Sequence, residues 1–178
     1  GSFPQASRDS DKIIQIGSSF TYYGDSEPFY KNLLSLNGCE KIKGMEDADI
    51  ECFDTESELL IRWQKLVQKM DPDIMTGWNI VGFDFPYLKE RSEKFKILDI
   101  FSQLSRIKGE RSRFVEKTLS SSALGDNIYK YFDISGRIII DLMKVEQRDE
   151  KLDSYKLDFV ASHVIKEKLL MCMQTEQQ

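Results

Sequence analysis

Long apolar runs are missing from this chain. No stretch approaches the roughly 18–20 residues that a membrane-crossing helix needs, so no membrane partner is expected. Histidine and cysteine are scarce: His163 is the single histidine, and Cys39, Cys52 and Cys172 are scattered and odd in number. A zinc site of the Cys/His type cannot be built from them, and free thiols in a reducing compartment are expected. The N-terminal GSFPQASRDSD has neither the basic start nor the apolar core of a secretion signal, which points to a protein that is not secreted. Positive charge is not in excess either. A net charge of −5 argues against binding nucleic acid by bulk electrostatics. There is no internal repeat and no low-complexity linker.

What is present is one domain's worth of chain: 178 residues, 40% hydrophobic and 31% charged. The charge is unevenly spread. Residues 89–117 hold nine lysines and arginines against five acids, which is either a solvated face or a local surface for a nucleic-acid backbone. The spacing predicts strands over 12–20 (apolar enough to be buried on both faces) and 29–36, with a turn at 22–28 and irregular chain over 39–53. A helix is expected over 56–70, capped by Thr55 and Glu58, with Leu59, Leu60, Trp63, Leu66, Val67 and Met70 in one stripe. Further on come a buried strand at 73–79, a helix at 84–95, and a short element with a loop over 97–110. A β-hairpin is expected over 111–135 with its turn near Leu124–Asn127. A buried strand at 136–142 leads into a short helix, and a last helix is expected over 152–164, with Leu157, Val160, Ala161 and Val164 toward the core. The order suits an α/β fold with a mixed sheet and helices on its faces.

The stretch DPDIMTGWNIVGFDFPYL, residues 71–88, organises the rest. A short apolar run ends at Asn79, Gly82 loosens the backbone, and Pro86 suits a helix start. Asn79 and Asp84 therefore meet at a strand-to-helix corner, where open α/β sheets expose their chemistry. Position alone makes Asp84 a helix N-cap. Phe83 and Tyr87 flank it, and each has two readings, core packing or stacking on an unpaired base.

This string resembles the second exonuclease motif of family B DNA polymerases, with Asn79, Phe83, Asp84, Pro86, Tyr87 and Leu88 in the pattern's places. The likeness continues through IIQIGSS, the helix with Trp63, the hairpin, GRIIIDL and SYKLDFVASHVI, over about residues 3–165. It is similar to the delta-type enzymes, and more so to those of large DNA viruses. The resemblance implies a ribonuclease-H-like domain truncated at both ends, in which Asp84 binds metal in a 3′→5′ proofreading site. It also implies two Mg2+ or Mn2+ ions, with Asn79, Phe83 and Tyr87 as DNA-contact candidates. The hairpin at 111–135 would partition the primer strand. The implied partners are the single-stranded primer terminus, the primer–template, the rest of the polymerase chain and a sliding clamp, in the nucleus or a viral replication compartment.

Two metal ions roughly 3.5–4 Å apart need several carboxylates, and one aspartate cannot hold them. The resemblance puts the first motif, Asp-x-Glu, just before residue 1 and the last, Tyr-x-x-x-Asp, beyond residue 165. Two internal mimics occur, Asp54-Thr55-Glu56 and Tyr129-x-x-x-Asp133. The first sits at a capped helix start and the second in a hairpin arm, so both are set aside. Asp141 is expected to be structural, and Asp158 does not fit the last motif. The chain by itself is expected to be inactive, and poorly soluble or loosely packed. A different class remains open, a non-catalytic exonuclease-like module that contacts DNA or protein. A stand-alone nuclease would require the mimics.

Overall fold

The computed structural model describes residues 3–40, 46–121 and 125–165. The element best anticipated is α1, Glu56–Met70. Thr55 and Glu58 form the reciprocal capping box, Leu59, Leu60, Trp63, Leu66 and Val67 are buried, and Asp71 ends the helix in the left-handed region at φ 49°. Against α1 lies a three-stranded sheet of β1 (Gln15–Phe20), β2 (Tyr30–Leu36) and β3 (Asp49–Phe53) in that order, β1–β2 antiparallel and β2–β3 parallel.

Two expectations are corrected here. Residues 49–53 are not irregular but form β3, whose polar letters hide a working strand: Glu51 takes a bidentate ion pair from Arg62 at 2.6 and 2.7 Å. Part of the expected loop, 41–45, lies outside the described residues. The strand at 12–20 is not buried on both faces. Exposed and half-buried residues alternate along β1, which among the described residues pairs with β2 alone. The central strand β2 is the covered one, with Leu33 through Leu36 all buried.

A second, parallel pair joins β4 (Ile74–Gly77) to β7 (Ile138–Asp141). Both were expected to be buried, yet Ile74 and Ile138 are exposed because neither strand has a second ladder partner among the described residues. Between them in sequence come α2 (Phe85–Lys94), α3 (Leu98–Phe101) and the antiparallel hairpin of β5 (Arg113–Ser121) and β6 (Gly125–Asp133). Ser121 pairs with Gly125 and Leu119 with Asn127, so residues 125–127 of the turn expected near Leu124–Asn127 belong to β6 instead, while Leu124 lies outside the described residues.

After α4 (Leu142–Asp149) the expected 152–164 helix shrinks to α5 (Leu157–Val160) and a π-turn at Ala161–Ile165. Over 150–155 the Tyr155 hydroxyl accepts from the Leu152 amide and donates to the Glu150 carbonyl, which replaces a helical ladder. Val160 and Ala161 are buried, whereas Leu157 and Val164 are exposed. One apolar cluster unites the layers: Leu34, Leu59, Trp63 and Val81 meet Phe85, Leu88, Phe101 and Phe132. Among the described residues no helix is long and apolar enough to cross a membrane.

The basic run over 89–117 resolves into ion pairs: Lys89 with Glu93, Lys94 with Asp9, Arg106 with Asp71, Arg111 with Asp99 and Arg113 with Asp133. Arg91 is buried. It grips Glu56 through both sides of its guanidinium fork, with Nε at 2.6 Å, and donates to the carbonyls of Ala6 and Arg8 at 2.8 Å. These bonds lay residues 3–11 as a strap across α2. Six of the nine cations of the run are thus paired with acids, Arg91 in the interior.

Candidate functional site

The corner after β4 is built by close approach. At Gly77 a Cβ would meet Ile80 Cγ2 at 2.7 Å, and at Gly82 it would meet Asn79 Oδ1 at 2.2 Å. Asn79 sits in the left-handed region at φ 58°, a conformation that asparagine tolerates better than most side chains. Its carbonyl accepts from the amides of Gly82 and Phe83 at 3.1 and 2.8 Å, starting a π-turn over Ile80–Asp84 that runs straight into α2.

That continuity corrects the capping reading of Asp84. Its backbone is helical (φ −65°, ψ −50°) and its side chain caps nothing, because the π-turn already supplies acceptors such as Ile80 O for the Phe85 amide. Asp141 does the capping. Its Oδ1 accepts from the Asn79 and Met143 amides at 3.0 Å, and its Oδ2 accepts from the Val81 amide at 3.0 Å. One buried carboxylate thus ties the end of β7 to the corner after β4 and opens α4, in line with the structural role expected for it.

Asp84 is solvent-exposed by area. The chain packed around its carboxyl nonetheless raises its pKa above the ordinary carboxylate value. The charge of Asp141 adds to the rise and a local backbone hydrogen bond opposes it. Water reaches the group and screens part of both effects, so crowding by neighbouring chain, and not a sealed pocket, sets the direction. The carboxylate therefore lies open, uncapped and close to a second negative charge.

Phe83 and Tyr87 stand beside it, half-buried, with ring centroids 5.3 Å apart. Neither joins the apolar cluster, where Phe85 and Leu88 take the core positions. They pack instead against the strap: Phe3 meets Phe83 edge-on at 5.1 Å, and the Tyr87 hydroxyl donates to Asp11 O at 2.6 Å. Burial pushes the Tyr87 phenol above its usual pKa. A cavity of about 310 Å3 opens between the strap and α2, floored by Phe83, Pro86 and Tyr87. Phe3 was not singled out in the sequence; its one signal is an apolar residue within a polar leader.

The mimics do not assemble. Glu56 is consumed by Arg91 in the interior, and Asp133 lies on a strand with Arg113 3.7 Å away. Among the described residues no group of three acids, histidines or cysteines could hold a metal ion.

Residues 1–160 match the family model described as DNA polymerase family B, exonuclease domain. The chain is 48% identical over 159 residues to a DNA polymerase of Pyramimonas orientalis virus, covering 89% of the chain and 13% of that relative. Over 167 residues it is 42% identical to the DNA polymerase delta catalytic subunit of Dictyostelium discoideum and 40% identical to that of Glycine max; each match covers 94% of the chain and 15% of the relative. The chain therefore spans about one seventh of the length of these relatives.

Proposed function

The chain belongs to the family B DNA polymerase exonuclease domain, and from that premise we propose that it is part of a proofreading 3′→5′ exonuclease within a DNA-directed DNA polymerase. The observation that carries the reading is the Asp84 carboxylate, exposed and uncapped beside the aromatic cleft of Phe83 and Tyr87. In this reading Asp84 is a metal-binding carboxylate. Phe83 and Tyr87 offer ring faces to the terminal base, and Asn79 sets the corner that aims them.

A ribonuclease-H-like arrangement of the whole domain is supported by the divided sheet. β1 and β4 each keep one unpaired edge among the described residues, and both pack on the same cluster through Ile16 and Met75. A strand bearing the first acids, supplied from outside this chain, would join the two pieces. Two ions, Mg2+ or Mn2+, belong to that completed site. The described residues do not fit them unaided, since Asp84 is the one open carboxylate at the corner and Asp141 is engaged with three amides. By itself the chain is inactive in this reading.

The substrates are the single-stranded primer terminus and the primer–template, with residues 111–135 as the strand-partitioning hairpin. The remaining polymerase domains are the covalent partner and a sliding clamp the external one. The setting is the nucleus or a viral replication compartment. The test is made in the parent polymerase: Asp84→Ala should abolish removal of a mismatched 3′ nucleotide and spare nucleotide addition. Excision at the wild-type rate in that variant would sink the reading and leave a non-catalytic contact module.

A further inference from the structure

The turn between β1 and β2 gathers aromatic side chains that stay out of the core. Phe20, Tyr22, Tyr23, Phe29 and Tyr30 fall within eleven positions, and none of them belongs to the apolar cluster. The turn is built to hold them. The Phe29 amide donates to the Phe20 carbonyl at 2.9 Å and the Asp25 amide to the Tyr22 carbonyl at 3.0 Å. Gly24 takes the positive φ of 97° that the reversal needs. The Tyr22 and Phe29 rings stack with centroids 4.2 Å apart and planes within 17°, and the Phe20 and Tyr30 rings lie 5.9 Å apart. Tyr22, Tyr23 and Phe29 are exposed, Tyr23 at 105%, as open as a tyrosine outside any fold. Exposed aromatic clusters of this kind mark interaction sites, and such side chains dominate the binding energy of protein interfaces.

Charge beside the rings is of one sign. Asp25 and Glu27 are exposed and, among the described residues, have no ion-pair partner, while Lys31 on β2 is engaged by Asp47 at 2.8 Å. The Tyr87 hydroxyl holds the chain at Asp11, and β1 then carries it about 17 Å from Gln15 to Phe20. The turn therefore lies at the far end of the sheet from the Asp84 corner.

Resting on the reading of the chain as one part of a longer polymerase, and not on the role of Asp84, we propose that this turn docks a basic segment of the parent polymerase from outside these 178 residues. Lysine and arginine suit both features, because the cation sits over a ring face while a carboxylate beside it neutralises the charge. Nucleic acid would bring phosphates against Asp25 and Glu27. A second copy would set the same two acids against each other, on chains of net charge −5. The parent has ample chain to supply the segment, since the match covers 13% of the viral relative and 15% of the delta-type ones.

The test is nitration of Tyr23 by tetranitromethane in the parent polymerase, read by mass spectrometry, with N-acetyltyrosinamide as the uncovered standard. Tyr23 should react roughly tenfold more slowly than the standard, as a side chain covered about nine-tenths of the time would. The rate should not depend on polymerase concentration. Asp25→Asn/Glu27→Gln should bring the rate to within about twofold of the standard, because the cations lose their counter-charges. Asp153→Asn/Glu150→Gln, the same charge change on exposed positions elsewhere, should leave the protection intact. An unchanged melting midpoint confirms that each variant is folded. Nitration of wild-type Tyr23 at the standard's rate would overturn the proposal. So would protection that survives Asp25→Asn/Glu27→Gln, which would mean an uncharged occupant, or protection that fades on dilution, which would mean a second copy. None of these results bears on the excision test of Asp84→Ala, so the two readings fail separately.

Discussion

The two sides of the Asp84 corner are held by opposite means. On the strap side, a buried arginine binds a buried glutamate and two backbone carbonyls, and a tyrosine hydroxyl is tied to a third. On the side of the β5–β6 hairpin, a cleft beside β7 and α4 is open, and Arg148 pairs with its exposed neighbour Asp149. The Asp84 corner thus has one side clamped by buried polar partners and one side open to solvent. The contrast teaches that burial of polar partners, not the number of charges, decides which side is stiff.

The strongest way to break this comparison is Arg91→Ala. It leaves Glu56 buried without its partner, which costs about 3–5 kcal/mol. Urea denaturation should show that loss, and a change below 1 kcal/mol would mean the strap is not clamped as described. Arg148→Ala on the hairpin side should change stability by no more than about 0.5 kcal/mol in the same assay.

Asp141→Ala comes next, at about 3 kcal/mol, because the Asn79, Val81 and Met143 amides lose their acceptor. If only the capping of α4 matters, the cost falls to about 1 kcal/mol. Gly82→Ala should cost about 1–3 kcal/mol, since the new methyl displaces the Asn79 side chain. Amide exchange should then speed up in the corner, with α1 unaffected.

The smallest effect has the opposite sign. The folded-state pKa of Asp84 lies above its unfolded value, so the ionised carboxylate destabilises the fold. That penalty is present above the folded pKa and disappears as pH falls through it. Asp84→Asn should therefore raise the melting midpoint by about 1–2 °C at pH 7, and the gain should vanish toward pH 3. A lower midpoint at pH 7 would show that the carboxylate makes a stabilising contact after all.

The elements legible in the letters were those whose signals are local. α1 announced itself by its capping box and apolar stripe, the hairpin by its arms, and the corner by the run from Asn79 to Leu88. β3 was illegible because Asp49–Phe53 is too polar for a core strand, and its place depends on Arg62 eleven residues after Glu51. The burial of β1, β4 and β7 was overestimated, since apolar letters cannot say whether a strand will have two neighbours or one. The helix at 152–164 was overextended because the pattern carries no trace of the Tyr155 hydrogen bonds that displace its first turns.

Sequence alone determined the family, through a motif whose residues lie within ten positions of one another, and it singled out Asp84 as the carboxylate to watch. Tertiary structure decided that Asp84 is uncapped and Asp141 is the cap. It also decided that Glu56 belongs to Arg91, and that Phe3 closes over Phe83. The division has one physical cause. Helix signals and short motifs are read along the chain, whereas the partner of a buried polar atom is chosen by packing that brings together residues as far apart as Asn79 and Asp141.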